Sequence, residues 1–255
     1  MTLLLEACGV GKHFGGVTAL KDVSLTIETG EIYGLIGPNG AGKTTFFNVL
    51  TGLYTRDAGE VVFAGKPLRL GSPHQVTQAG IARTFQNIRL FANMSALENV
   101  MVGRHARTRA GAIGAVFRNR ATRAEEAAIR ARALELLHYV GIAPRADDLA
   151  RHLPYGDQRR LEIARALATE PKLLALDEPA AGMNATETAA LRELIVGLRN
   201  DGLTVLLIEH DVKLVMGLCD RVAVLDYGEK IAEGAPAAVQ KDAKVIEAYL
   251  GGSVA

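Results

Sequence analysis

The sequence predicts an α/β fold with a parallel sheet at its centre. Short apolar stretches alternate with helix-like stretches in the second half of the chain, and a glycine-rich loop separates a strand from a helix in the first half. The predicted strands of the second half cover residues 172–176, 204–208 and 221–225, and the predicted helices cover 186–198 and 211–218. Because such alternation places helices on the faces of a parallel sheet, ligands are expected at the carboxyl ends of the strands.

A separate antiparallel sheet is expected before and after the glycine-rich loop. Apolar and polar residues alternate in residues 1–30 and 56–66, which is typical of strands with one buried and one solvated face. Val61 and Phe63 share the buried face, and Gly59 is predicted to lie in a turn. This sheet is not expected to carry chemistry.

A phosphate-binding loop is predicted between a strand at residues 31–36 and a helix at 45–50. The intervening residues fit the pattern Gly, four residues, Gly-Lys-Thr. Glycines let backbone N–H groups turn inward around an anion, and the helix start adds partial positive charge. We expect Lys43 to reach the outer phosphates of a nucleotide and the Thr44 hydroxyl to ligate Mg²⁺. The predicted nucleotide contacts are Gly37, Pro38, Asn39, Gly40, Ala41, Gly42, Lys43, Thr44 and Thr45.

Polar side chains follow two of the apolar strands. Asp177 and Glu178 come after the strand at 172–176, and His210 comes after the strand at 204–208. All three should meet the glycine loop at the same edge of the sheet. Asp177 is the expected Mg²⁺ carboxylate, and Glu178 is the expected general base for a water that attacks the terminal phosphate. The alternative is that the acidic pair forms only a surface turn or a helix cap.

Composition and charge argue against several other functions. Lysines and arginines number 29 and aspartates and glutamates 28, so the charge gives no reason to expect nucleic acid or an anionic membrane. Cys8 and Cys219 lie far apart, which fits free thiols in a reducing compartment. A secretory signal is not visible, and no apolar run reaches the ~18 residues of a membrane span. The chain is therefore expected to be soluble by itself.

A helical region is expected from about residue 87 to 155. The clearest helix covers residues 125–140 and ends at Gly141. Its apolar stripe consists of Ile129, Ala133, Leu136, Leu137 and Val140. Residues 104–123 contain no Asp or Glu, and their charge pattern favours a solvated loop. The six arginines of this stretch are Arg104, Arg107, Arg109, Arg118, Arg120 and Arg123.

The chain resembles the ABC transporter ATPase family over nearly its whole length. The resemblance rests on residues 153–167, which are similar to the family's signature segment and its helix, and on the strand that ends in Asp177 and Glu178. It implies catalytic roles for Glu178, for Gln86 of the glutamine loop and for the switch histidine His210. It also implies that Gln86 is a ligand of the Mg²⁺ ion. It further implies nucleotide contacts by Phe14, which stacks on adenine, and by Tyr155, Gly156 and Asp157. From spacing alone, Phe14 is equally well explained as a core aromatic.

The family resemblance also implies an architecture. It is a P-loop NTPase (RecA-like) core with an antiparallel β subdomain and an inserted α-helical subdomain, all within one domain. Residues 1–86 and 156–235 would form the core with its β subdomain, 87–155 the helical signature subdomain, and 236–255 the C-terminal helix and tail. In this family two such domains bind two ATP molecules head to tail. Each ATP lies between one glycine loop and the opposite signature segment.

The chain departs from the family pattern in two segments. The usual signature is Leu-Ser-Gly-Gly-Gln, and Pro154, Tyr155 and Asp157 replace its Ser, first Gly and Gln. Gly156 and the helix start remain, so backbone N–H groups are expected to make the contact. Asn184 stands where the family usually has Asp in its dimer-contact loop, so any bond across the dimer would carry no charge.

The resemblance is closest to the ATP-binding subunits of branched-chain amino acid importers. Related subunits for urea or amide import and for lipopolysaccharide export share much of the pattern. ATP and Mg²⁺ are the implied ligands, and membrane permease subunits and a second ATPase subunit are the implied partners. The implied location is peripheral, on the cytoplasmic face of the inner membrane. A switch GTPase is disfavoured because no Asn is followed by Lys, and a DNA- or ribosome-associated ABC ATPase because long coiled-coil insertions are not visible.

The arginine stretch leaves three alternatives open. It could pair with acidic residues of the permease, rest on anionic lipid headgroups, or form a solvated loop. Its place between the glutamine loop and the signature segment slightly favours docking on the permease.

Overall fold

The computed structural model describes residues 2–68, 71–104 and 120–251. Its strands are β1 (Leu3–Phe14), β2 (Val17–Glu28), β3 (Ile32–Ile36), β4 (Ala58–Phe63), β5 (Lys66–Pro67), β6 (Ile81–Arg83), β7 (Leu173–Asp177), β8 (Thr204–Ile208), β9 (Arg221–Asp226) and β10 (Glu229–Gly234). Its α-helices are α1 (Lys43–Leu50), α2 (Pro73–Ala79), α3 (Ala96–Arg104), α4 (Arg120–Tyr139), α5 (Tyr155–Leu167), α6 (Ala185–Asn200), α7 (Val212–Leu218), α8 (Pro236–Val239) and α9 (Ala243–Gly251).

Two sheets organise the chain, as the sequence predicts. The central sheet has the order β10-β9-β3-β8-β7-β6, and its strands are parallel except β10, which runs antiparallel to β9. The second sheet has the order β2-β1-β4-β5 and is antiparallel throughout. The predicted α/β class and the antiparallel sheet are therefore confirmed. Strands β6 and β10 are too short or too polar to stand out in the sequence.

Strand β3 lies between two hydrophobic cores. Tyr33 and Leu35 face a core formed with the antiparallel sheet and helix α1, whereas Ile32 and Ile36 face a core formed with helices α3 to α9. Successive side chains of a strand point to opposite faces, so a strand between two cores must be apolar throughout. All five residues of β3 are buried. The glycine loop follows this buried strand and therefore lies at the edge of the sheet where the parallel strands end.

The predicted helix at residues 125–140 is confirmed and is longer at its start. All five residues of its apolar stripe are buried. The expectation that helical structure begins near residue 87 is wrong, because α3 begins at Ala96 and residues 87–95 are not helical. The buried Asn99 explains this difference. Its side chain accepts a hydrogen bond from the Phe91 N–H (2.9 Å) and donates to the Phe91 carbonyl (3.1 Å), which holds the segment in a loop.

Gly59 does not lie in a turn, contrary to the prediction. It lies within β4 with φ +79°, opposite a break in the register of β1 between Cys8 and Gly11. A Cβ on Gly59 would lie 2.3 Å from the carbonyl oxygen of Gly9, so only glycine fits this close approach of two strands.

None of the helices in the described part of the chain combines the length and the apolar character that crossing a membrane requires.

Candidate functional site

The glycine loop joins β3 to α1 as predicted. Gly37 has φ +150°, and a Cβ there would lie 2.1 Å from the carbonyl oxygen of Leu225 in β9. The loop therefore passes closer to the sheet than any side chain permits. Helix α1 begins at Lys43 without a side-chain cap, which leaves the N–H groups of its first turn for another acceptor. Backbone donors at a helix start form a cradle for a phosphate chain.

The ammonium group of Lys43 lies within this loop. Its Nζ donates to the carbonyl oxygens of Gly37 (2.7 Å) and Pro38 (2.9 Å), and the residue is 7% exposed. Burial lowers the pKa of Lys43, and the nearby charge of Glu178 opposes this effect. Thr44 follows at the start of α1 and is exposed. A buried cation and an exposed hydroxyl thus stand next to each other at the loop.

Asp177 lies at the end of β7 and is paired with Arg83 at the end of β6. Arg83 Nη2 is 3.2 Å from Asp177 Oδ2, and both side chains are nearly buried. The other guanidinium nitrogen, Nη1, donates to Asn48 Oδ1 (2.9 Å) and Thr51 Oγ1 (2.7 Å) beside helix α1. Burial raises the pKa of Asp177, and Arg83 opposes this. Asp177 is therefore part of a buried network, and the alternative of a surface turn is wrong for this residue.

The three predicted catalytic residues meet at one carboxylate oxygen. Gln86 Nε2 donates to Glu178 Oε2 (2.8 Å), and His210 Nδ1 lies 3.6 Å from the same oxygen. Glu178 has φ +46°, a conformation that is uncommon outside glycine and recurs at functional sites. Its N–H donates to the carbonyl of Ile208 at the end of β8 (2.9 Å), which ties the strained residue to the sheet.

Two further carboxylates fix the chain around this cluster. The buried Glu209 accepts a hydrogen bond from the N–H of Ala180 (2.9 Å) and so joins the segments that follow β7 and β8. Asp211 caps α7 by accepting from the N–H groups of Lys213 (2.9 Å) and Leu214 (3.2 Å). His210 is held between these two anchors while its own side chain is 60% exposed.

Phe14 is exposed at the end of β1, so the core-aromatic alternative is wrong. The residue is 43% exposed, and its ring packs edge-on against Tyr54 with 5.2 Å between ring centroids. The Lys12 ammonium lies 5.3 Å from the ring centroid. This exposed aromatic ring has room for a planar ligand to stack on it.

The segment predicted to contact an opposite nucleotide forms the first turn of α5. The helix begins at Tyr155 after Pro154 and has no side-chain cap. The Tyr155 hydroxyl donates to the carbonyl of Ala181 (2.9 Å), and Asp157 forms an ion pair with Arg145 (3.0 Å). These contacts within the chain orient the turn, and its backbone N–H groups remain for a ligand.

Asn184 caps helix α6 within the chain. It accepts from the N–H of Glu187 (2.9 Å), and the Glu187 carboxylate accepts from the N–H of Asn184 (3.0 Å), which forms a capping box.

Three charged residues of this region were missed by the sequence prediction. They are Arg83, which pairs with Asp177, and the buried pair Arg159 and Glu162 on α5, whose atoms Nη1 and Oε2 lie 3.3 Å apart. A sequence signal exists for Glu162, because a charged residue stands between Leu161 and Ile163 on a helix that must bury one face. No comparable signal marks Arg83.

The arginine stretch lies mostly outside the described residues. Arg104 lies within them, and its Nη1 is 2.5 Å from Glu170 Oε1, so this arginine does have an acidic neighbour in the fold. Arg120 and Arg123 lie in α4. Beside α3 a cleft of about 340 Å³ is lined mainly by apolar residues, including Leu53, Val76, Phe91 and Val102, with Arg83 and Arg165 also in its wall.

No group of three or more His, Cys, Asp or Glu side chains forms a metal site in the described ranges.

Two family models match the chain. The model described as "ABC transporter" matches residues 20–181, and "Branched-chain amino acid ATP-binding cassette transporter" matches residues 229–255. The chain is 45% identical to the high-affinity branched-chain amino acid transport ATP-binding protein LivG of Salmonella typhimurium, over 97% of this chain and 98% of that protein. It is 36% identical to the lipopolysaccharide export system ATP-binding protein LptB of Haemophilus influenzae, over 97% of each.

Solved structures agree with these matches. The ADP conformation of MJ1267, an ATP-binding cassette of an ABC transporter, superposes with a TM-score of 0.85 at 31% identity, over 98% of this chain and 100% of that one. The dimeric ATP-binding cassette MJ0796 bound to ADP and Pi superposes with a TM-score of 0.77 at 28% identity, over 91% and 99%. The chain therefore belongs to the ABC transporter ATP-binding family, as an ATPase of the branched-chain amino acid (LivG) type.

Proposed function

We propose that this chain hydrolyses ATP to energise a membrane importer of branched-chain amino acids. The observation that carries the proposal is the meeting of Gln86, Glu178 and His210 at one carboxylate oxygen, at the strand edge that also holds the glycine loop. The 45% identity to LivG over nearly the full length supports the assignment of the solute class.

Glu178 is the proposed general base. A water positioned at its carboxylate would attack the terminal phosphorus of ATP and give its proton to Glu178, while the bond to the β-phosphate breaks. The Gln86 amide and the His210 ring lie against the same carboxylate and orient this water. The cradle of the glycine loop and Lys43 hold the phosphates in line, and Phe14 offers its exposed ring to the adenine.

The residues present fit a bound Mg²⁺. The Thr44 hydroxyl, the Asp177 carboxylate and the Gln86 amide oxygen would hold the ion, together with phosphate oxygens. When bound, the ion neutralises charge on the outer phosphates. Since Asp177 is already paired with Arg83, its oxygens are held in place before the ion arrives.

A second ATPase subunit, identical or related, is the proposed partner at the nucleotide. Tyr155, Gly156 and Asp157 would face the ATP held by that subunit through the N–H groups of the first turn of α5. The dimeric cassette MJ0796 supports this arrangement. Asn184 lies in the neighbouring loop and would meet the partner as a neutral amide.

Permease subunits are the proposed membrane partner, with this chain peripheral on the cytoplasmic face of the inner membrane. The apolar cleft beside α3 is the proposed docking site, because it lies between the glutamine loop and the helical region. We further propose that the arginine stretch 104–123 pairs with acidic residues of the permease; within the described residues, Arg104 is already paired with Glu170. We propose that the chain is divided into a core with its β subdomain (1–86 and 156–235), a helical subdomain (87–155) and a C-terminal helix and tail (236–255).

The catalytic proposal is tested by Glu178→Gln in the purified protein. ATP binding should remain, and turnover should fall ~10²-fold or more, the usual scale for a lost general base. Glu193→Gln is the matched control, because Glu193 is exposed on α6 and should leave turnover unchanged. Wild-type turnover by Glu178→Gln would refute the role of this carboxylate.

The solute is tested by uptake in the source organism. Deleting the gene should abolish high-affinity uptake of labelled leucine, and the wild-type gene but not Glu178→Gln should restore it. Normal leucine uptake together with lost urea uptake, or with a defect in lipopolysaccharide export, would favour the corresponding related system instead.

A further inference from the structure

Helix α5 holds the glutamine loop through two buried charged side chains. Arg159 Nη1 donates to the carbonyl of Phe85 (2.6 Å), and Nη2 donates to the carbonyl of Gln86. Glu162 Oε1 accepts from the N–H groups of Phe85 (3.2 Å) and Arg89 (3.4 Å). The backbone of the glutamine loop is thus bonded to side chains of α5 on both sides of Gln86.

Packing a helix with two buried charged side chains costs free energy, because both charges lose their hydration. Arg159 and Glu162 are 2% and 1% exposed, and burying a charged pair usually stabilises a fold no more than apolar residues of the same volume. An apolar pair could not bond to two successive carbonyls. The guanidinium group can, because its donors form a rigid planar fork. The chemistry of the pair therefore fits a role in fixing geometry.

The same contacts lead to the catalytic carboxylate. Gln86, whose carbonyl Arg159 holds, donates its side-chain amide to Glu178 Oε2 (2.8 Å). At the other end, Arg159 Nη2 is 3.1 Å from the Tyr155 hydroxyl, which bonds to the carbonyl of Ala181 (2.9 Å). A continuous series of hydrogen bonds therefore joins the first turn of α5 to the oxygen at which we place the general base.

We propose that Arg159 and Glu162 are positioning residues, which fix the backbone at Gln86 and so hold its side-chain amide against Glu178. The inference rests on the proposed roles of Glu178 and Gln86. It goes beyond them because turnover then depends on two buried side chains of α5, whereas the affinity for ATP at the glycine loop does not depend on them.

The test compares Arg159→Lys and Glu162→Gln with Arg160→Lys. Lysine keeps the charge but offers one point donor, so it cannot hold both carbonyls. Glutamine keeps an oxygen that accepts from the loop and should have the smaller effect. Arg160 is the matched control, since it neighbours Arg159 on α5 and donates instead to the carbonyl of Val140 (3.3 Å).

For Arg159→Lys we expect kcat to fall roughly ten- to a hundredfold, the scale of a catalytic group misplaced by about 1 Å. The Kd for ATP should stay within about twofold, and hydrogen exchange of the peptide containing residues 85–89 should become faster. Arg160→Lys should match the wild type in all three measurements. A parallel loss of kcat, ATP affinity and thermal stability would mean that the pair is only structural and would overturn the inference.

A double-mutant cycle with Gln86→Ala is the decisive measurement. If Arg159 acts through Gln86, Arg159→Lys should lower kcat no further in the Gln86→Ala background. The inference would be overturned if the fold-losses of kcat in the two single variants multiplied in the double variant. It would also be overturned if either single variant, Gln86→Ala or Arg159→Lys, kept the wild-type kcat. Both outcomes count against the inference even if the Glu178→Gln protein is inactive. Rapid turnover by Glu178→Gln would instead remove the proposed general base, so the two failures are distinguishable.

Discussion

Replacing Arg83 by Met should destabilise the folded chain by about 3–5 kcal/mol, the usual cost of removing one partner from a buried ion pair. The side chains of Arg83 and Asp177 are 11% and 5% exposed, so little water reaches the carboxylate in place of the guanidinium. The substitution also leaves Asn48 and Thr51 without their guanidinium donor. Met ends one atom short of the position of Arg83 Cζ, so the cation–π contacts of the guanidinium with the rings of Phe47 and Phe85 are lost together with the ion pair.

The destabilisation by Arg83→Met should depend on pH, because the substitution leaves the carboxylate of Asp177 without its cationic partner. Burial raises the pKa of Asp177, and Arg83 opposes this rise, so the pKa should increase further in Arg83→Met. A carboxyl whose pKa is raised in the folded state weakens folding when it ionises. The destabilisation should therefore be largest near neutral pH and should shrink as the pH falls through the raised pKa of Asp177.

Thermal and urea unfolding measure this prediction. For a chain of this length, a loss of that size corresponds to a Tm lower by roughly 6–20 °C. Asp177→Asn added to Arg83→Met should recover most of the loss, because no unpaired charge remains. Arg132→Met is the matched control, since its ion pair with Glu135 is exposed and should contribute about 0–1 kcal/mol. A loss under 1 kcal/mol for Arg83→Met, with no pH dependence, would refute the electrostatic argument.

Three further predictions concern single contacts. Phe14→Ala should weaken ATP and GTP binding alike in titrations while barely changing the Tm, because the ring is exposed; unchanged affinity for both would remove Phe14 from the site. Gly37→Ala should abolish nucleotide binding or folding, because its Cβ would clash with the Leu225 carbonyl; circular dichroism and ATP titration measure the two effects. Gly16→Ala is the control, because its Cβ would meet no atom within 4 Å. Asn184→Ala should lower stability in urea by about 1 kcal/mol through loss of the α6 cap, and no change would argue against the capping box.

Local sequence patterns are enough to predict the fold class and most of the site. The phosphate-binding loop, the acidic pair after β7 and the histidine after β8 are short motifs whose spacing requires a strand before them. Parallel strands then bring their carboxyl ends to one edge, so the convergence of Glu178 and His210 follows from local patterns alone. The buried stripe of α4 was predictable for the same reason, since its period reflects the helix itself.

Which charges are paired and which backbone segments touch is visible only in the folded chain. Arg83 and Asp177 are adjacent because β6 and β7 are neighbours in the sheet, and Arg159 meets Phe85 because α5 packs over the glutamine loop. No periodicity in the sequence encodes such contacts, because the partners are many residues apart. The same holds for Gly59, whose conformation is required by the backbone of Gly9 on another strand. Short motifs fix local chemistry, whereas the pairing of buried charges depends on how distant elements pack.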